Sequence, residues 1–188
     1  MELKAWGDES ILTHAVPRPR YMLGVCLCDF EEETTRAKLQ EIKPLHSSKL
    51  HWREMTKIQH QASIQALTDF PFQYVVVTTS MGDLSRAERA RGKCFETLLP
   101  LLEFHYHINS LIMESREKHQ NAHDKLIISG LHSRQFINQL RVTFKPGAED
   151  ARLWLPDQML GLLNEIKLES TSFTEPMKID IIDTELCV

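Results

Sequence analysis

The sequence predicts an α/β fold with helices packed on a mixed sheet, and three observations carry that expectation. Two nearly continuous apolar or β-branched runs, Tyr21 to Cys28 and Phe72 to Thr79, read as strands covered on both faces. Helical periodicities alternate with strand patterns along the chain. Neither an internal repeat nor a low-complexity linker interrupts that order, so residues 1–188 are expected to form one domain.

The elements follow in order. Leu3 to Ser10 carries an apolar run into Asp8 and Glu9, which reads as a first strand ending at its acids. After the Tyr21 to Cys28 strand come two helices, Glu31 to Lys43 and Arg53 to Asp69. The second has Met55, Ile58, Ala62 and Leu67 at roughly helical spacing and stops before Pro71. Beyond the Phe72 to Thr79 strand, Ser85 caps a long helix to about His105, with Phe95, Leu98, Leu99 and Leu102 as its buried stripe and a kink or break expected at Pro100. His107 to Glu114 alternates as a strand, with Ile108, Ser110, Ile112 and Glu114 on one face and Leu111 and Met113 on the other. A helix from Glu117 to Leu131, a strand from Leu140 to Phe144 closed by Pro146-Gly147, a helix near Ala151 to Leu168 and a strand from Lys178 to Glu185 complete the pattern.

Composition narrows the class. With 42% hydrophobic and 26% charged residues the chain is an ordinary globular protein, neither disordered nor fibrous. No apolar stretch approaches the roughly 20 residues that a membrane helix needs. The start Met-Glu-Leu-Lys-Ala-Trp-Gly-Asp lacks the basic-then-apolar order of a signal peptide, so the expected compartment is the cytoplasm. Cys26, Cys28, Cys94 and Cys187 show no Cys-x-x-Cys spacing and read as buried thiols, the first two on one strand face. A net charge of −4 gives no global attraction to nucleic acid, so a polyanionic partner needs local basic patches or metal ions.

Three acids suggest such a metal site. Asp8 and Glu114 each follow an apolar strand pattern, and Asp157 opens the helical run Pro156 to Leu163. Carboxylates pinned at strand ends hold hard cations without requiring loops to order around them. If the two strands are parallel neighbours, both acids emerge at one edge, where active sites of open α/β sheets gather. Two ions about 3.5 to 4 Å apart can then clamp the attacking and leaving oxygens of a phosphoryl displacement. Pro156 suits a first helical turn, which would put Asp157 near the positive end of the helix dipole. Taken singly, each acid reads more simply as a turn residue, a solvated strand end or a dipole partner.

Asp8-Glu9-Ser10, Lys49-Leu50-His51-Trp52-Arg53, Met113-Glu114-Ser115-Arg116 and Leu155-Pro156-Asp157-Gln158-Met159-Leu160-Gly161 together resemble the domain-of-unknown-function 3800 family, in the same order and over nearly the whole chain. That family belongs to the ribonuclease H-like, retroviral-integrase-like superfamily. The resemblance implies a ribonuclease H-like fold, with Asp8, Glu114 and Asp157 binding Mg²⁺ or Mn²⁺ and Glu9 as an auxiliary ligand. It implies a metal-dependent nuclease acting on DNA or RNA, or a catalytically silent module that keeps the fold and binds nucleic acid or protein. Ile11, Glu114 and Pro156 depart from the family's glycine, aspartate and alanine.

Other residues have a chemical and a bland reading. Lys49, His51 and Arg53 alternate before a helix, where His51 would position or deprotonate water, or where all three are merely solvated around an anchoring Trp52. Arg86, Arg89 and Lys93 form a basic stripe suited to a phosphate backbone or to water, with Arg91 off that line. Arg116 would share the face of Glu114 and either orient it or neutralise phosphate. His119 and His123 have the i, i+4 spacing of a zinc pair but lack the following glutamate or a nearby cysteine pair. No Gly-x-Ser-x-Gly elbow or Gly-rich phosphate loop is present, which argues against serine hydrolases and nucleotide-binding ATPases.

Overall fold

The structure, a computed structural model, describes residues 3–14, 16–70, 72–168 and 177–186. Pro71 and Cys187 lie outside the described residues. Six strands form one sheet: β1 (Lys4–Leu12), β2 (Arg20–Cys28), β3 (Gln73–Ser80), β4 (Ser110–Glu114), β5 (Arg141–Lys145) and β6 (Lys178–Thr184). Their order is β5-β4-β1-β2-β3-β6. β1 pairs antiparallel with β2, and β2 with β3, while the β1–β4, β4–β5 and β3–β6 pairs are parallel, so the sheet is mixed as expected.

Five helices cover both faces: α1 (Glu32–Gln40), α2 (Lys57–Asp69), α3 (Ala87–Pro100), α4 (Lys118–Ser133) and α5 (Trp154–Glu165). On one face Leu39, Leu67 and most of α5 pack with Trp6, Met22, Cys26, Tyr74 and Val76. On the other, α3 and α4 close over Ala5, Leu23, Val25, Val75, Val77 and Leu111. The period-2 alternation of β2 and β3 thus feeds two separate cores, which is why both strands read as apolar throughout. Among the described residues, no helix is long and apolar enough to cross a membrane.

Several boundaries differ from expectation for local reasons. Thr56 caps α2 through a capping box with Gln59, so the helix starts at Lys57, and Trp52–Glu54 forms a separate 3₁₀ turn. Asp83, not Ser85, caps the turn leading into α3 by accepting from the Ser85 amide at 2.9 Å. After Pro100 the chain leaves α geometry for a π turn, Leu101–His105, rather than breaking. His107 then adopts φ 55°, which resets the register, so β4 begins at Ser110 and Ile108 joins the core of the opposite face. β1 runs past Asp8 to Leu12, because β2 pairs along its whole length while β4 pairs only with Ala5–Gly7.

Candidate active site

That unequal pairing builds the site. Gly7 lies opposite Met113 in the parallel β1–β4 ladder, so Asp8 and Glu114 come next on adjacent strands. Asp8 shares its face with Trp6, and Glu114 with Ile112, which both pack toward α5. Asp157, in the first turn of α5, faces them from above. Burial is the largest force raising the Asp8 carboxyl well above its ordinary range, followed by the charges of Asp157 and Glu114. The three acids therefore meet electrostatically, although their sequence positions span most of the chain.

Each acid is held differently. Asp8 Oδ1 accepts from the Glu9 amide at 2.8 Å. Asp157 Oδ2 accepts from the Trp52 amide at 2.8 Å and from Gln158 Nε2 at 2.9 Å, while Oδ1 pairs with His51 Nδ1 at 2.8 Å. Gln158 is itself fully buried and accepts from Ser63 of α2 at 2.9 Å. Glu114 pairs with the Lys49 ammonium through Oε1, and its buried Oε2 has no hydrogen-bond partner among the described residues. The carboxylate lies against Gly147, where a Cβ would come within 2.8 Å of Glu114 Cδ. Only a residue without a side chain permits that approach.

The segment from Lys49 to Trp52 acts as a clamp on α5. Trp52 sits on Gly161, stacks on His60 at 4.0 Å and donates its backbone amide to Asp157. Bonding to Asp157 is the main cause that raises the His51 imidazole above its ordinary 6.5. Burial pulls the Lys49 ammonium down, but its bond to Glu114 and the charges of Glu114, Asp8 and Asp157 outweigh that and raise it. Asp8, Lys49, His51 and Asp157 line a cleft of about 720 Å³ that runs along β1 toward His14.

Glu9 is not gathered with the other three acids. It alternates to the opposite face of β1, where Tyr21, Arg91 and Arg116 engage its carboxylate. Arg91, off the expected stripe, is the buried member, and its Nε also donates to Asp124 at 2.9 Å. Arg116 bonds Glu88 and Asp124 instead of orienting Glu114. His119 and His123 pair separately with Glu117 and Glu88. Glu88, His123 and Asp124 bring ligand atoms within 4.8 Å of one another, but the Arg116 guanidinium already bridges the two acids and supplies their countercharge. On the proposed stripe, Arg86 and Arg89 are exposed and Lys93 pairs with Glu96.

The sequence reading missed the roles of Gln158, Ser63 and Gly161. One signal was present: Asp157 and Gln158 are adjacent polar residues inside a run, Trp154 to Leu163, that is otherwise apolar or glycine and is buried throughout. A polar pair in such a helix must find partners in neighbouring elements.

The architecture has counterparts among solved structures. A chain in the complex of PCNA and RNase HII from Archaeoglobus fulgidus superposes with a TM-score of 0.57 at 10% identity, over 88% of this chain and 74% of that one. The fold is ribonuclease H-like. Ribonuclease H2 from Pyrococcus horikoshii OT3 agrees, with a TM-score of 0.54 at 12% identity over 87% of this chain and 74% of its own. The sequence matches no protein-family model and no curated protein.

Three carboxylates are donors of the type a hard divalent cation prefers, although the ligand atoms of Asp8, Glu114 and Asp157 do not all lie within 4.8 Å of one another. Among the described residues Glu114 Oε2 has no donor, Asp8 takes its one printed hydrogen bond on Oδ1, and Asp157 Oδ1 keeps a second acceptor position beside His51. Burial opposes carboxylate charge here, and the Lys49 ammonium shares part of it through Glu114.

Proposed function

We propose that the protein is a divalent-metal-dependent nuclease that hydrolyses phosphodiester bonds of DNA or RNA. The observation that supports this most directly is the convergence of Asp8, Glu114 and Asp157 from β1, β4 and α5 on one side of the sheet, beside an open cleft. Likeness of fold to ribonucleases adds to it. Mg²⁺ or Mn²⁺, two ions in the complete arrangement, would be held by these three acids and would supply Lewis acidity at the phosphoryl oxygens.

The chain's own residues account for the rest. With Nδ1 donating to Asp157, a neutral His51 keeps Nε2 as the acceptor for a proton, the form a general base requires. Lys49 and Arg53 place positive charge at the cleft, where a phosphate backbone would lie. Gln158, anchored on Ser63, fixes the Asp157 carboxylate so that it need not reorganise when charge develops.

Single- and double-stranded DNA, RNA and a DNA–RNA hybrid, each end-labelled and incubated with Mg²⁺ or Mn²⁺, test the proposal. Cleavage of at least one substrate is expected, abolished by chelator and by Asp8→Asn. Binding without cleavage of any substrate would instead favour the silent module. Equal cleavage by wild type and Asp8→Asn would remove the site from the reaction.

A further inference from the structure

Lys49 brings its ammonium to the three acids. Its ammonium bonds Glu114 Oε1 and feels the charges of Asp8 and Asp157 as well, with its side chain only a quarter exposed. The position is built into the backbone. Ser47 Oγ lies 2.6 Å from the Lys49 carbonyl and 2.8 Å from Glu54, with its one proton to give to either, and just beyond Lys49 both His51 and Trp52 are bound to Asp157. One short segment thus grips one acid of the site and delivers a cation to another.

Charge then limits what the cluster can take up. With all three carboxylates ionised and His51 neutral, as metal binding would require, the cluster and the Lys49 ammonium together carry two negative charges, which a single divalent ion neutralises. A second ion would leave two positive charges in a partly buried place before any phosphate arrives. Lys49 holds only Oε1 of Glu114; Oε2 is buried and has no hydrogen-bond partner among the described residues, so the ion pair occupies one of the two carboxylate oxygens. Lysine suits a temporary cation, because its point charge on a flexible stem leaves more readily than a forked guanidinium.

We propose that Lys49 stands in for one divalent ion: the substrate-free protein takes up a single ion, and the ammonium leaves Glu114 for a second only when a phosphodiester offers it negative charge. This rests on the metal-site reading above.

Titration with Mn²⁺ alone, counting free ion by electron paramagnetic resonance and heat by calorimetry, tests it. Wild type is expected to bind one ion per chain. Lys49→Gln, which keeps the length and removes the charge, is expected to bind Mn²⁺ about tenfold more tightly, while Lys49→Arg stays near wild type. In chelator Lys49→Gln should melt below wild type and gain more from Mn²⁺. Two ions bound by wild type, or a gain of less than about threefold in Lys49→Gln, would overturn the proposal. The wild-type stoichiometry decides even if the variant folds poorly. Asp8→Asn in the same titration separates the two levels. Unchanged binding there sinks the metal site itself, whereas lost binding with an unchanged Lys49→Gln sinks only the role of Lys49.

Discussion

Asp8 is the acid whose surroundings oppose its charge most plainly. Burial first, then Asp157 and Glu114, raise its carboxyl well above the ordinary 3.8, so the folded chain holds that proton more tightly than the unfolded one. Stability linked to Asp8 is therefore fully present below 3.8 and is lost as pH rises through the raised value. In chelator at neutral pH, Asp8→Asn has no such charge to bury and should melt at or above wild type. On adding Mn²⁺ it should gain less, since only the native wild-type site links binding to folding. Melts of both proteins from acid to neutral pH, with chelator and with Mn²⁺, check this. A variant that is less stable throughout and ignores the cation would make Asp8 a structural residue.

α5 is the element that turns packing into site geometry. It is buried on all sides from Trp154 to Leu163, and Pro156 stands third in the helix rather than first, still among the residues whose amides have no helical acceptor. Gly161, one turn after Asp157, is the seat of Trp52, and a methyl there would come within 2.6 Å of Trp52 Cβ. Gly161→Ala must lift Trp52, and with it the amide that holds Asp157. The variant should lose about 1–3 kcal/mol to overpacking despite alanine's better helix propensity. It should also bind Mn²⁺ more weakly. Gly130→Ala on α4, where a Cβ meets nothing within 4 Å, is the control and should be neutral or slightly stabilising. Urea titration and calorimetry read both effects; a Gly161→Ala protein as stable as wild type would contradict the seat.

Across the molecule, each face of the sheet is tied by a polar chain as well as by apolar packing. On the far face Arg91 of α3 joins Glu9 and Tyr21 of the β1–β2 hairpin to Asp124 of α4. Asp124 is completely buried and is shared by Arg91 and Arg116, each at 2.9 Å, so Arg91→Met would leave it with one counter-ion instead of two, at a cost of about 1–3 kcal/mol. Removing both partners, Arg91→Met with Asp124→Leu, should recover part of that loss, because the buried Asp124 charge goes with its arginine while Arg116 still pairs with Glu88. Denaturant unfolding of the single and double variants measures it. A double variant as unstable as the single one would assign the loss to the guanidinium's contact with the Phe95 ring, 4.8 Å below it.

Much of this was legible in the chain before folding was considered. The β2 and β3 runs announced strands sheltered on both faces, because a period of two with both faces apolar has few other uses. Asp8, Glu114 and Asp157 stood out because acids at the ends of apolar patterns are costly without a reason. Sequence was silent on the direction of long side chains. Lys49, Arg91 and Arg116 look alike as surface cations, yet Lys49 meets Glu114 from 65 residues away and Arg91 meets Glu9 from 82. Nor did it fix where β1 ends, since that depends on how far β2 and β4 pair with it. Strand and helix patterns are written in near neighbours along the chain, where periodicity is read directly. Charge partnership and the convergence of the three acids arise from segments distant in sequence, and only the sheet order and the seat of α5 bring those into contact.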